Sequence, residues 1–144
     1  MFVQLKKYIT ISLIVLGLSS FATNANAQSD TLVKLCTQFL KSPYISDGQQ
    51  YKALLNGTEI AEFKATFYGG STYRIVGATG VKLGNLMFTV YDSERNVLFS
   101  NKKHQNVPYW DFKFASTIDC IIEAELDTKS LNSGFALLLI GFKQ

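Results

Sequence analysis

Few residues in this chain have the types and spacing that chemistry needs. Glu123 and Glu125 alternate along one stretch, with Asp127 following. On a strand, side chains at i and i+2 share a face with their roots about 6.5–7 Å apart. Two carboxylates at that distance make glycoside hydrolysis conceivable. That chemistry also needs a cleft with the carboxylates opposed across a sugar, and neighbours on one open strand face do not supply it. His104 is the single histidine, which rules out a zinc site built from several histidines. No G-x-S-x-G stretch offers a nucleophile elbow, so His104 reads as a solvated loop residue. Asp92, Glu94 and Asp127 sit in polar turns, where carboxylates suit hard cations, but no EF-hand spacing is present. Neither a catalytic constellation, a metal site nor a cofactor motif is expected.

The remaining candidates are recognition residues. Tyr68, Tyr91 and Tyr109 are placed to form exposed aromatic platforms, which stack on sugar rings or anchor protein interfaces. Lys102 and Lys103 make the 101–108 loop basic, and that loop and the glycine-rich stretch 77–84 are expected at the same end of the fold. Trp110 alternates with Phe112 and Phe114 and is expected in the core.

The first 27 residues bear on where these groups work. Lys6 and Lys7 precede an uncharged apolar run, Ile9 to Leu18, and Ala25-Asn26-Ala27 supplies a small-x-small cleavage pattern. The run is about ten residues, and spanning a bilayer takes about 20. Residues 1–27 therefore read as a cleaved signal peptide, leaving an exported chain, periplasmic or extracellular, that starts at Gln28 without a membrane span. The net charge of +3 owes two charges to Lys6 and Lys7. The other basic residues are scattered, so no nucleic-acid footprint is expected. Cys36 and Cys120 are the only cysteines. In an oxidising compartment they are expected to pair. Closing a loop of about 84 residues would stabilise the chain by roughly 4.6 kcal/mol in the chain-entropy model.

The elements that must position these residues change period along the chain. Leu32, Leu35, Cys36, Phe39 and Leu40 form one apolar stripe, predicting a helix over Asp30–Lys41 with Ser29 or Asp30 as its cap. Pro43 prevents its continuation. Residues 42–58 read as a connector with turn signals, in which 51–55 is either a short strand or a helical turn. From residue 59 onward the period is 2. Seven segments read as strands, over 61–67, 72–75, 86–91, 97–100, 109–114, 120–126 and 135–142. The last is apolar throughout, so it should be central. Short strands at this spacing, uninterrupted by helices, predict an antiparallel β-sandwich of about seven strands with one N-terminal helix across it. Residues 28–58 would be helix and connector, and 59–144 the sandwich.

Four of these segments have a familiar order. AEFKATFYGGSTYRIV (61–76), LMFTVYDSERNVLFSN (86–101), YWDFKFASTIDCIIEAEL (109–126) and GFALLLIGFK (134–143) together resemble the bacterial pre-peptidase C-terminal (PPC) domains. The resemblance implies a jelly-roll-like sandwich serving as a non-enzymatic accessory or binding module on exported proteins. This chain differs from that family in its own cysteine-bearing helix and in standing without a peptidase, so it is expected to act alone or to dock on another protein. The functional expectation is an exported, non-enzymatic binding module for an envelope glycan or a protein partner. A structural adaptor subunit is the alternative, and a glycan hydrolase a distant third.

Overall fold

The computed structural model describes residues 21–80 and 83–144, with side chains described from Ala27 onward. The charged start and apolar run of the expected signal peptide lie outside the described residues. The element order is α1 (Phe21–Thr37), β1 (Ile45–Ser46), β2 (Tyr51–Asn56), β3 (Ile60–Phe67), β4 (Thr72–Thr79), β5 (Leu86–Asp92) and β6 (Val97–Ser100). A 3₁₀ turn (Asn101–His104), β7 (Tyr109–Lys113), β8 (Ile118–Leu126) and β9 (Ser133–Lys143) complete it. The nine strands form two antiparallel sheets. In sheet A, β9 is flanked by β4 on one side and shared by β1 and β2 on the other, with β7 bordering β4. Sheet B runs β3-β8-β5-β6.

Among the described residues, the mainly β sandwich with one helix is therefore as the sequence predicts, with two more strands. The stretch read as a connector supplies both: Tyr51–Asn56 pairs with Leu138–Ser133, and Ile45–Ser46 with Phe142–Gly141. β9 is central, and its two faces serve two apolar layers. Ala136, Leu138 and Ile140 point into the space between the sheets, with Ile75, Phe88, Val90 and Ile122. Leu137 and Leu139 point outward with Val76 and Ala78, where α1 covers them with Leu32 and Cys36. A strand buried on both faces cannot alternate, which accounts for the unbroken apolar run.

Three expectations are corrected here. The first concerns α1, which over Phe21–Thr37 runs through Ser29 and Asp30 and ends at Thr37. Ser29 and Asp30 therefore cap nothing, and the small-x-small triplet lies in the helix. All the α1 residues in the outer core are at or after Leu32, so removing residues up to Ala27 spares that packing. Beyond Thr37 the chain tightens into turns, with Phe39 N–H donating to the Cys36 carbonyl at 3.0 Å and Leu40 N–H to that of Thr37 at 3.1 Å.

The second correction is the loop expected over 77–84, since β4 continues to Thr79. Gly77 lies in the inter-sheet core, where an added Cβ would sit 3.0 Å from Leu138 Cδ2 and 3.1 Å from Leu86 Cδ2. Its missing side chain reflects close packing rather than a turn.

The third is the Cys36–Cys120 disulfide, because both cysteines are free and buried. Each lies on an apolar face as expected, but the faces belong to different layers. Cys36 packs beneath α1 on the outer face of sheet A, whereas Cys120 points between the sheets. Sheet A stands between them. Burial pushes the Cys36 thiol up to about 12 and the Cys120 thiol up to about 11, the latter helped by Asp92 and Asp119.

Candidate functional site

The sandwich presents its most prominent aromatic surface where the border strands β6 and β7 meet. β6 ends sheet B and β7 ends sheet A. Their inward side chains close this side of the core: Phe99 stacks on Trp110 with ring centroids 4.6 Å apart and meets Phe112 edge-on at 5.4 Å. Phe99 is buried, but among the described residues no strand lies beyond it, and Trp110 remains 36% exposed. Trp110 faces the side that its alternation indicates but is not a core residue, because a border strand leaves the outermost ring in solvent. The 3₁₀ turn after β6 brings His104 onto the same cluster, 4.7 Å from Trp110 and 5.4 Å from Phe99. His104 is thus exposed but anchored.

Asn101 sets the position of that turn. Its fully buried side chain accepts from Phe88 N–H at 2.8 Å and donates to the carbonyls of Leu86 at 3.0 Å and Val107 at 3.1 Å. It thereby fastens both ends of the 101–107 excursion to β5. Gly84 lies against the Asn106 carbonyl, so the turn that leads into β5 and the 101–107 excursion share one end of the sandwich.

Tyr109 stands next to this cluster on the outer face of β7. Arg74, opposite Asp111 in the β4–β7 register, forms a two-pronged pair with it, Nε to Oδ1 at 2.6 Å and Nη2 to Oδ2 at 2.8 Å. The same guanidinium donates to the Phe39 carbonyl at 3.0 Å and lies between the rings of Tyr44 and Tyr109, 4.2 and 4.4 Å from their centroids. Phe39 packs on Tyr109 at 5.1 Å. The Arg74 guanidinium holds the Asp111 carboxyl below its ordinary value. Tyr109 is thus a pre-oriented ring, exposed on one side and stacked on the other. Val107 to Asp111 line a hollow of ≈ 430 Å³ at this edge. Val97 and Leu98 on β6 are also exposed.

The other expected recognition residues fall elsewhere. Lys103 is exposed beside His104, while Lys102 pairs with Glu125 across sheet B. Tyr91 is half-buried on the outer face of that sheet, its hydroxyl donating to Glu123 Oε2 at 3.1 Å. Burial and the Glu123 carboxylate raise its hydroxyl above the ordinary value. Tyr68 is 64% exposed just beyond β3, in a turn bonded to Phe114 past the far end of β7, whereas Tyr109 begins that strand. The three tyrosines do not form one platform.

The expected carboxylate pair is committed to ion pairs. Arg95, held at φ 67° in the β5–β6 turn, reaches back over the sheet to bridge Glu62 and Glu123, the latter at 2.6 Å. Lys102 engages Glu125. These side chains form a ladder of paired charge on an open face; Glu62 and Glu123 are cross-strand neighbours bridged by Arg95 rather than carboxylates facing each other across a cleft. Asp92 accepts from the backbone N–H groups of Glu94 and Asn96 at 2.9 and 2.8 Å, closing its own turn. Asp127 likewise accepts from Lys129 N–H at 3.2 Å. Among the described residues, no group of three or more His, Cys, Asp or Glu is gathered to hold a metal ion, and no helix is long and apolar enough to cross a membrane.

Sequence reasoning missed Arg74 and Asn101, which order this edge. Arg74 alternates regularly along its strand and Asn101 opens a polar loop, so neither stands out until the strands are paired.

No family model and no curated protein matches the chain. Among solved structures, it is similar to Aeromonas hydrophila PliG, a periplasmic lysozyme inhibitor of g-type lysozyme. The two are 12% identical, with a TM-score of 0.52, over 72% of this chain and 90% of that one, and what they share is the fold.

Proposed function

We propose that this protein is an exported, non-enzymatic binding module that recognises another protein through its β6–β7 edge. The observation that carries the reading is Trp110, a large ring stacked on a buried phenylalanine yet over a third in solvent. Tryptophan and tyrosine anchors of this kind supply most of the energy at protein interfaces. Here the anchor is flanked by Tyr109, Val97 and Leu98, and its rim is polar, with His104 and Lys103. Packing already fixes the rings, so docking would lose little side-chain freedom. The border strands also present backbone groups that a partner can pair with. The likeness to PliG supports choosing a lysozyme as the first partner to test. The leader-like residues 1–27 support placing the encounter outside the cytoplasm.

The test is to titrate g-type lysozyme with the exported protein, following lytic activity and complex formation by calorimetry. The expected result is a stoichiometric complex with loss of lysis. Trp110→Ala should weaken it by at least about 2 kcal/mol, roughly 30-fold. Absence of a complex rejects lysozyme as the partner. An unchanged Kd in Trp110→Ala rejects the edge.

A further inference from the structure

The side of the sandwich opposite Trp110 is open. There the border of sheet A changes strands: β2 pairs with β9 as far as Leu138, and β1 takes over at Gly141. The chain between them leaves β9 only after Asp47, whose N–H still donates to the Ile140 carbonyl at 2.9 Å, and then turns through Gly48; the facing border of sheet B is β3. The step leaves a cleft of ≈ 560 Å³ leading to the inter-sheet core. Small-molecule sites occupy about 300–1,000 Å³ and combine an apolar base with a few polar groups.

This cleft has that division. Tyr73 is nearly fully buried at its base, and Tyr51 and Phe142 are half-buried within it. Its polar lining includes Asp47, Gln49 and Gln144, the two amides being exposed. The Asp47 carboxylate is oriented by two donors, Tyr51 hydroxyl at 3.2 Å and Gln49 N–H at 2.9 Å. It keeps lone pairs for a further hydroxyl.

Tyr68 stands among the lining residues with most of its ring in solvent. Its backbone is held: Tyr68 N–H donates to the Tyr73 hydroxyl at 3.0 Å. The next residue, Gly69, lies so close to the 115–116 backbone that a Cβ there would be 2.8 Å from Ser116 Cα. A bare aromatic face on a fixed backbone, beside amides and an oriented carboxylate, suits a ligand with one apolar face and a hydroxylated edge. A pyranose ring has both.

We propose that this cleft is a second binding site and that it takes a neutral saccharide, stacked on Tyr68 and hydrogen-bonded by Asp47, Gln49 and Gln144. A second hollow of ≈ 450 Å³ shares Lys64, Ala65 and Thr66 with the cleft. The path therefore continues around β3, which selects oligosaccharides over single sugars. An aliphatic chain would form no hydrogen bond with the amides or the carboxylate. The proposal is independent of the protein partner assigned to the β6–β7 edge.

The exported protein is titrated with cellotriose, maltotriose and chitotriose, and with the corresponding monosaccharides, by calorimetry and by amide NMR. At least one trisaccharide should bind, at least tenfold more tightly than its monosaccharide, and should shift the side-chain amide resonances of Gln49 and Gln144. Tyr68 is a surface residue, so Tyr68→Ala should fold normally and weaken binding at least tenfold, while Tyr68→Trp restores it. Failure of all three trisaccharides to bind overturns the proposal. So does binding that Tyr68→Ala leaves intact, or binding that shifts neither glutamine. Occupation of the cleft by dodecanoate in place of sugar overturns the saccharide assignment.

Discussion

Adding a reductant should leave this protein as stable as before. Cys36 and Cys120 lie in separate apolar layers with sheet A between them. A bond joining them would close a loop of about 84 residues, worth roughly 4.6 kcal/mol in the chain-entropy model. For a domain of this size that corresponds to a midpoint shift of about 15–25 °C. Two free thiols predict none. The assay is thermal unfolding followed by circular dichroism, with and without a phosphine reductant, paired with thiol titration. Both thiols should be silent in the native state and both should react after denaturation in the absence of reductant. Alkaline pH provides a second readout. Both folded thiols titrate above their ordinary 9.0 because burial disfavours the thiolate. Their contribution is therefore complete below about pH 9. It is lost as the pH rises toward 11–12, by at most about 1.4 kcal/mol per pH unit for each thiol, since the unfolded chain ionises first. A reductant-induced fall of 10 °C or more, or recovery of a Cys36–Cys120 peptide from a non-reducing digest, would refute the reasoning.

Two further substitutions probe the groups that order the aromatic edge. Arg74→Ala should destabilise by about 2 kcal/mol in denaturant unfolding, because it releases Asp111, the Phe39 carbonyl and two stacked rings together; Lys should not rescue it, as an ammonium cannot reproduce the planar two-pronged pair. The Asp111 carboxyl is held below its ordinary 3.8, so its contribution is present above about pH 4 and lost as the pH falls below it. That acid limb of the stability profile should flatten in Arg74→Ala. Asn101→Ala should cost about 2–4 kcal/mol by removing the side-chain partner of three backbone groups, at Leu86, Phe88 and Val107, and amide exchange at Phe88 should accelerate.

Much of this architecture is legible in the chain, because a period of 2 survives wherever one face of a strand is wet. β3, β8 and β5 were open to that reading, and β9 announced its place through its lack of alternation. The failures share a cause. Periodicity identifies which residues share a face but not which layer that face meets. Cys36 and Cys120 each satisfied their own pattern and so looked able to meet. Trp110 satisfied its pattern too, but whether an inward ring is buried depends on a neighbouring strand, and among the described residues β7 has none on its outer side. Gly77 misled for a different reason: an empty side chain looks the same in a sequence whether it permits a turn or makes room for Leu86 and Leu138. Tyr68, Tyr91 and Tyr109 could be recognised as candidates one by one. Their separation follows from sheet order, which single-strand patterns do not encode.

The place of β9 in sheet A also governs when this protein can fold. β1, β2, β4, β7 and α1 all precede β9 in the chain, and β1 and β2 make their sheet pairings with β9 alone. A ribosome delivers the partners first and the strand that joins them later. Until β9 emerges, sheet A is a set of segments without its middle, and α1 lacks half of the surface it packs on. Long-range pairing of this kind is slow to form. Under the export proposed above, that delay would be useful: the emerging polypeptide would stay extended for translocation, and assembly would be deferred to the far side of the membrane.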